Sequence, residues 1–332
     1  MRRIDDNTVT TLQPRRESVD RAQAGGSHST RRAGIRDYVS LIKPRIIELL
    51  LITTFPVMFL AQGGVPPAGL VVATLVGGTL SAACANVFNC ILDRDVDRLM
   101  RRTEGRPLAT GLIPVRHALV FAIVLGVASV LVLGLLVNAL SAALSFGAIL
   151  LYVVFYTMVL KRRTTQNIVW GGAAGCMPVL IGWAAVTNRL DWAPVVLFLV
   201  VFFWTPPHYW PLSMRFKDDY AAAGIPMLPV LAEDTKVARQ IVAYAWATVA
   251  ASLALVPVAN MGWIYTVIAL VSGAVFVLES HRLLSRAKDP ANTTLAALRP
   301  MRLFHYSISY LTLVFVGVAL DPLFHLALPV SF

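Results

Sequence analysis

Residues 49–92 read LLLITTFPVMFLAQGGVPPAGLVVATLVGGTLSAACANVFNCIL, 44 positions without an Asp, Glu, Lys or Arg. One membrane span takes about 20 apolar residues, so this run holds two, divided by the turn residues QGGVPP at 62–67. The pattern recurs. Residues 117–160 form a second uncharged run of 44, divided at VNAL (137–140), and residues 240–278 a third, of 39, divided at NMG (260–262). Runs at 164–188, 192–214 and 303–320 add one span each. The whole chain of 332 residues is 57% hydrophobic and 14% charged, with mean hydropathy +0.68. A soluble domain carries about 25% charged residues, so a soluble globular protein is excluded. The expected fold is all-α: a polytopic membrane protein with nine transmembrane helices in a bundle enclosing a central cavity.

Charge placement orients the spans. With the N-terminus in the cytoplasm, 28 of the 29 Lys and Arg fall on that side and only Arg189 on the other. The positive-inside rule therefore predicts a cytoplasmic N-terminus and cytoplasmic even-numbered loops. The net charge of +11 then reflects basic residues along an anionic lipid leaflet, with no nucleic-acid partner implied. Residues 1–36 carry eight Arg and a GGS but no apolar stretch, and are expected to form a disordered basic cytoplasmic tail ahead of a transmembrane domain at 37–332. A mitochondrial transit peptide is also Arg-rich but avoids acids, whereas Asp5, Asp6, Glu17 and Asp20 are present. A bacterial plasma (inner) membrane is the favoured location, and the mitochondrial inner membrane the alternative. No cleavable secretory signal is read. Cys84, Cys90 and Cys176 lie inside spans without CxxC spacing and read as small packing residues.

The opening run ends in DRDVDR, residues 93–98. On a helix, positions i, i+4 and i+8 drift only about 40° per step, so Asn89, Asp93 and Asp97 make one oxygen-bearing stripe. Asp95 points away, and Arg94, Arg98 and Arg102 make a second stripe. Oxygens so spaced suit Mg²⁺, which keeps several waters and is often shared with substrate phosphates. The neighbouring arginines suit the anion such a metal would bring. The plain alternative is a helix end whose acids and arginines pair with one another.

A second loop argues for the first reading. WTPPHYWPLSMRFKDDYAAAGIPMLP, residues 204–229, ends the sixth span with Arg215, Lys217, Asp218 and Asp219. It lies four spans after the first acidic loop, hence on the same side, as in two parallel repeats around an anion site. LKRRTTQN (160–167) adds Lys161 and Arg162 from that side. Pro206 and Pro207 are expected to disturb the sixth helix, leaving His208 at a pocket wall with Trp204 and Tyr209. His208 reads as a metal or acid partner, a proton carrier, or a histidine bonded to broken backbone. Glu48 is an intramembrane acid within reach of Arg45 or water. Asn167, Gly171, Gly172 and Gly175 give the fifth span a small face that suits close helix packing. RLLSRAKDP (282–290) reads as an amphipathic connector. His28, His117, His281, His305 and His325 receive no role.

Together these blocks resemble the intramembrane prenyltransferases of the UbiA type, and within them the branch that modifies haem. The resemblance runs from about Tyr38 to the C-terminus. It rests on DYVSLIKPRI (37–46), NCILDRDVDRLMRRTEGRPLATG (89–111) with the NxxxDxxxD motif, YTMVLKRRTTQNIVWGGAAG (156–175), WTPPHYW (204–210) and KDDYAAAGIPM (217–227). One departure stands out: the quinone-pathway members carry a second DxxxD, where this chain has FKDDY (216–220), with Phe216 and Tyr220 at the outer positions.

The resemblance implies transfer of a farnesyl group from farnesyl diphosphate to a vinyl group of haem b, with addition of water. It implies Mg²⁺ on Asn89, Asp93, Asp97, Asp218 and Asp219, of which the four acids would carry catalysis. It further implies diphosphate contacts from Arg102, Arg106, Lys161, Arg162 and Lys217, and a haem pocket at His208, Trp204 and Tyr209. The lipid bilayer is the medium, and a haem A synthase or terminal oxidase an expected neighbour. An aromatic-acid prenyltransferase would share the diphosphate site, but FKDDY and WTPPH point away from it. A transporter of haem or anionic lipid would not need the 4/4 stripe.

Overall fold

The computed structural model describes residues 32–328 apart from 293 and 325. Most of the tail expected over 1–36, together with His28 and His325, lies outside the described residues. Ile35 and Arg36 already belong to the first helix, α1 (Ile35–Ile42), a short amphipathic segment that buries Leu41. α1 ends at Lys43 in the left-handed conformation, φ 54°, and Pro44 opens α2. Pro at the first helical position loses nothing, because its missing N–H is one of the unpaired donors there.

Among the described residues nine helices are long and apolar enough to cross a membrane, matching the runs read from the sequence. The first two are α2 (Pro44–Gln62) and α3 (Ala68–Leu92). A single turn, α4 (Arg94–Asp97), follows. Then come α5 (Val115–Leu136), α6 (Ala139–Leu160), α7 (Asn167–Thr187) and α8 (Trp192–Arg215). Short helices α9 (Lys217–Ala222) and α10 (Leu228–Leu231) cross the next loop. α11 (Asp234–Val258) and α12 (Trp263–Lys288) lead through α13 (Leu295–Leu298) to α14 (Pro300–Phe324).

The long helices close into a ring. Each of α2, α3, α5, α6, α7, α8, α11, α12 and α14 packs on the next, and α14 returns to α2. Further contacts cross the ring: α2 with α7, α8 with α14, and α3 with both α6 and α7. Small residues allow the close pairings. A Cβ on Gly77 of α3 would stand 2.5 Å from the Leu133 side chain of α5, and Ser129 donates to the Gly77 carbonyl at 2.7 Å. Close backbone approach of this kind drives association where lipid removes the hydrophobic incentive.

α8 runs unbroken through Pro206, Pro207 and Pro211, where a disturbance was expected. It packs on α7, α11 and α14, and this burial outweighs the lost backbone bonds. Above α3 and α5, Leu41, Val87, Cys90, Leu108, Ile113, Ala118 and Ala122 form a separate apolar cluster. Each large aliphatic buried there contributes roughly 1.5–3 kcal/mol relative to exposure to water. The cluster fastens α1 and the loop after α4 to the ends of α3 and α5.

Candidate active site

The loop fastened in this way carries the acids. Asp93 ends α3, its N–H donating to Asn89 O at 2.9 Å, and Asp97 N–H donates to Asp93 O at 2.8 Å. The single continuous helix expected here is therefore two pieces, but the i→i+4 bonds persist across the break. Asn89, Asp93 and Asp97 remain on one line, each at most 3% exposed. Asp95 turns outward, 61% exposed at its side chain.

Cations converge on the line from three other elements. Lys43 Nζ donates to Asn89 Oδ1 at 2.6 Å. Lys161 Nζ donates to Asp93 Oδ2 at 2.5 Å, beside an Asn89 Nδ2 donation to the same oxygen at 2.6 Å. Arg106 spans both Asp97 oxygens at 2.8 and 2.9 Å. Arg162 makes a bidentate pair with Asp95 at 2.7 and 2.8 Å and stands 3.9 Å from Asp93 Oδ1. Two buried carboxylates thus face Lys43, Lys161 and Arg106, an excess of positive charge. Burial pulls the Lys43 ammonium below the ordinary lysine range. Burial works against the Arg106 charge too, but the Asp97 carboxylate beside it holds the guanidinium above its ordinary range. Hydrogen bonds from Arg162 hold the Asp95 carboxyl down at about 2.

Asp93 Oδ1 is buried and has no hydrogen-bond partner among the described residues. An unsatisfied buried carboxylate oxygen is costly, and it is a vacant lone pair beside two further oxygen-bearing side chains. That donor set is hard and oxygen-only, which fits Mg²⁺.

The last ten residues of α6, Leu151–Leu160, are π-helical. In a π-helix residues five apart line up, and such segments are frequent at functional sites. Tyr152 and Thr157 therefore share one line, and Thr157 Oγ1 receives the Asn89 amide at 3.3 Å. Tyr156 and Lys161 share another, closed by the Lys161 N–H to Tyr156 O bond at 2.9 Å. Asn167 at the start of α7 holds this loop by donating to Lys161 O at 3.1 Å. Gly171 lies against the Tyr156 ring and Gly172 against Thr205, the close packing expected of that small face, while the space at Gly175 is open.

The second acidic loop meets the first. Arg102 N–H donates to Asp219 Oδ2 at 3.4 Å, and its guanidinium lies over the Phe216 ring, 5.2 Å from the centroid. Asp218 and Lys217 are exposed. Among the described residues no group of three or more His, Cys, Asp or Glu stands at metal-holding distances. The Asp218/Asp219 pair therefore does not join Asp93 and Asp97 in one cluster here. Arg98 is spent on Ala109 O at 2.7 Å. Tyr220, at an outer position of FKDDY, is buried and pairs its hydroxyl with that of Tyr209 at 2.9 Å.

Toward the membrane interior a cavity of about 130 Å³ lies between α2, α3, α6 and α7, with Leu50, Gly78, Asn86, Tyr152, Gly175 and Ile181 among its lining. Asn86 is one turn from Asn89, so the acidic line sits at the mouth of this apolar space. Trp204 and His208 are not in its lining; they stand in the α8–α14 interface. Trp204 Nε1 donates to Ser307 O at 2.7 Å, and the His208 ring is stacked between Trp204 and Phe304, centroids at 4.1 and 4.6 Å. Ser307 Oγ lies 2.7 Å from Phe304 O, to which it can donate, and is hydrogen-bonded to His208 Nδ1 at 2.8 Å. His208 bonds a side chain, and the backbone around it is unbroken helix. Glu48 is exposed, His281 accepts from Trp246 at 3.1 Å, and Arg282 and Arg286 belong to an ion cluster.

Sequence reasoning missed Lys43 and Thr157. Lys43 carried a signal, a lysine directly before Pro44 at the start of a span. Thr157 carried none, because it reaches Asn89 only through the π-helical register.

Acids and cations gathered at the mouth of an apolar cavity between membrane helices suit an enzyme that handles a lipid diphosphate, and the chain belongs to the UbiA prenyltransferase family, whose model matches residues 50–308. The protoheme IX farnesyltransferase of Leifsonia xyli subsp. xyli is 61% identical over 289 residues, spanning 87% of this chain and 92% of that one. Among solved structures, a digeranylgeranylglyceryl phosphate synthase shares the fold with TM-score 0.69 at 17% identity, over 87% of this chain and 98% of that one. A UbiA homolog from Archaeoglobus fulgidus, solved with GPP and Mg²⁺ bound, does so with TM-score 0.61 at 18% identity, over 85% and 99%.

Proposed function

We propose that this chain transfers the farnesyl group of farnesyl diphosphate to a vinyl group of haem b, with addition of water, releasing diphosphate and a hydroxyethylfarnesyl haem, haem O. The observation that carries the reaction class is the line of Asn89, Asp93 and Asp97 facing Lys43, Lys161 and Arg106 at the cavity mouth. The acceptor and chain length rest on the likeness to the Leifsonia enzyme. The reading places the chain in a bacterial plasma membrane, with a haem A synthase or terminal oxidase as a downstream neighbour.

The difficult step is breaking an allylic C–O bond to a polyanionic leaving group. Lys43, Lys161, Arg102, Arg106, Arg162 and Lys217 would hold fixed positive charge where that charge develops, which is electrostatic preorganisation. Mg²⁺ bound at Asn89, Asp93 and Asp97, with Asp218 and Asp219 on the facing loop, would supply Lewis-acid stabilisation of the diphosphate. The cavity between α2, α3, α6 and α7 would take the prenyl chain and exclude water. Tyr152 at its wall and Tyr156 beside it offer π faces to the allylic cation. His208, Trp204 and Tyr209 are assigned to the acceptor side.

The test is incubation of the purified protein with haem b, farnesyl diphosphate and Mg²⁺, followed by mass spectrometry. Haem O is expected. Product with an aromatic acid acceptor and none with haem b would transfer the chain to the quinone-pathway branch.

A further inference from the structure

Away from the clamp, a groove of about 400 Å³ runs along the outside of the bundle between α12 and α14. Its walls are apolar and lipid-facing: Val267, Val271 and Val275 on α12 are 48%, 62% and 43% exposed, and Leu313 on α14 is 47% exposed. Ser272 and Tyr310 form its buried floor. From Val267 to Val275 the helix rises about 12 Å, close to half of a hydrocarbon core about 30 Å thick. The groove is therefore one leaflet deep.

Its upper end is charged. Tyr306 lines the groove, and the Arg302 guanidinium lies over its ring, 5.7 Å from the centroid. One turn beyond Val275 is Glu279, 1% exposed, which takes Arg286 at 2.8 Å, Arg302 at 3.3 Å and Arg282 at 3.4 Å. One carboxylate against three guanidinium groups leaves the cluster at net +2. Arg282 and Arg302 are 52% and 41% exposed, and Arg286 Nε is a buried donor with no acceptor among the described residues. By chain parity this end is on the same side of the membrane as the acidic line. Basic pockets between spans on that side suit anionic head groups.

We propose that the α12–α14 groove is a binding site for an anionic phospholipid, with one acyl chain along Val267, Val271 and Val275 and the phosphate at Arg302 and Arg282. The charge excess selects the anionic head group. The groove depth selects a chain of one leaflet. The site is separate from the diphosphate clamp and would tie the enzyme to anionic membrane regions.

The experiment is native mass spectrometry of the detergent-purified protein with phosphatidylglycerol or phosphatidylcholine of matched acyl chains. The wild type should retain phosphatidylglycerol roughly tenfold better, given two exposed arginines at the head group. Arg302→Ala should remove that preference. Because Arg302 also neutralises buried Glu279, Val271→Trp serves as the second variant: it fills the groove, leaves the arginines in place, and should cut the retention of phosphatidylglycerol severalfold. Equal retention of both lipids by the wild type, or undiminished phosphatidylglycerol retention by Val271→Trp, would overturn the proposal.

Discussion

Asp93 and Asp321 are equally buried, each 1% exposed, and they sit at opposite ends of the bundle. Asp321 caps α12, accepting Gly262 N–H at 2.7 Å and Tyr265 N–H at 3.0 Å, one on each oxygen. Asp93 instead has one oxygen crowded by Lys161 and Asn89 and the other buried with no hydrogen bond from the described residues. Burial is common to both; the pattern of satisfaction differs. A carboxylate that accepts a backbone N–H on each oxygen holds a helix end, whereas one half-satisfied among cations is the one proposed to take a ligand.

The two acids should therefore fail in opposite ways. Asp93→Asn is expected to lower farnesyl transfer by 10² or more, the scale of losing a preorganised electrostatic group, with little change in melting temperature. Asp321→Ala strands two backbone N–H groups that the acid now satisfies, each worth about 1–3 kcal/mol when buried and unpaired. It should lower the unfolding temperature markedly and leave the activity of the folded fraction within about twofold of wild type. Thermal melts and turnover on the same preparations separate the two outcomes.

Smaller effects sharpen the contrast. Lys43→Met removes one charge-assisted contact of about 1.5–3 kcal/mol, so kcat/KM for farnesyl diphosphate should fall roughly 10- to 100-fold. Gly175 has open space where a Cβ would stand, so Gly175→Phe should fold normally and fill the cavity. It should raise KM for farnesyl more than for a shorter prenyl diphosphate. Asp95→Asn should matter least. Its carboxyl is held at about 2 by Arg162, against an ordinary value near 3.9. A depressed value means the pair contributes fully above that ordinary value and fades only as pH falls toward about 2. Between pH 5 and 8 the variant should track wild type within about twofold, because an exposed pair is worth 0–1 kcal/mol.

The bundle was legible because lipid leaves a long uncharged run few options. The 44-residue run at 49–92 became α2 and α3, divided at the Gly and Pro residues that were read as a turn. The acidic line was legible because 4/4 spacing survives a break of the helix at Asp93. Other features lay beyond sequence reading because they depend on tertiary neighbours. The prolines of α8 predict a disturbance, yet the helix is continuous through them, packed on three other helices. The π-helical register that aligns Tyr152 with Thr157 leaves no mark on residue type. Asp218 and Asp219 stand in the expected loop, but the backbone around Arg102 decides which of them faces it.

The central claim is that Asn89, Asp93 and Asp97 bind a metal–diphosphate unit. Titration calorimetry of farnesyl diphosphate into the purified protein, with Mg²⁺ and with the metal chelated, tests it most directly. The account predicts binding to wild type that requires Mg²⁺, and no such requirement or binding in Asp93→Asn. Tight binding that is indifferent to the metal, or equal in wild type and Asp93→Asn, would contradict it.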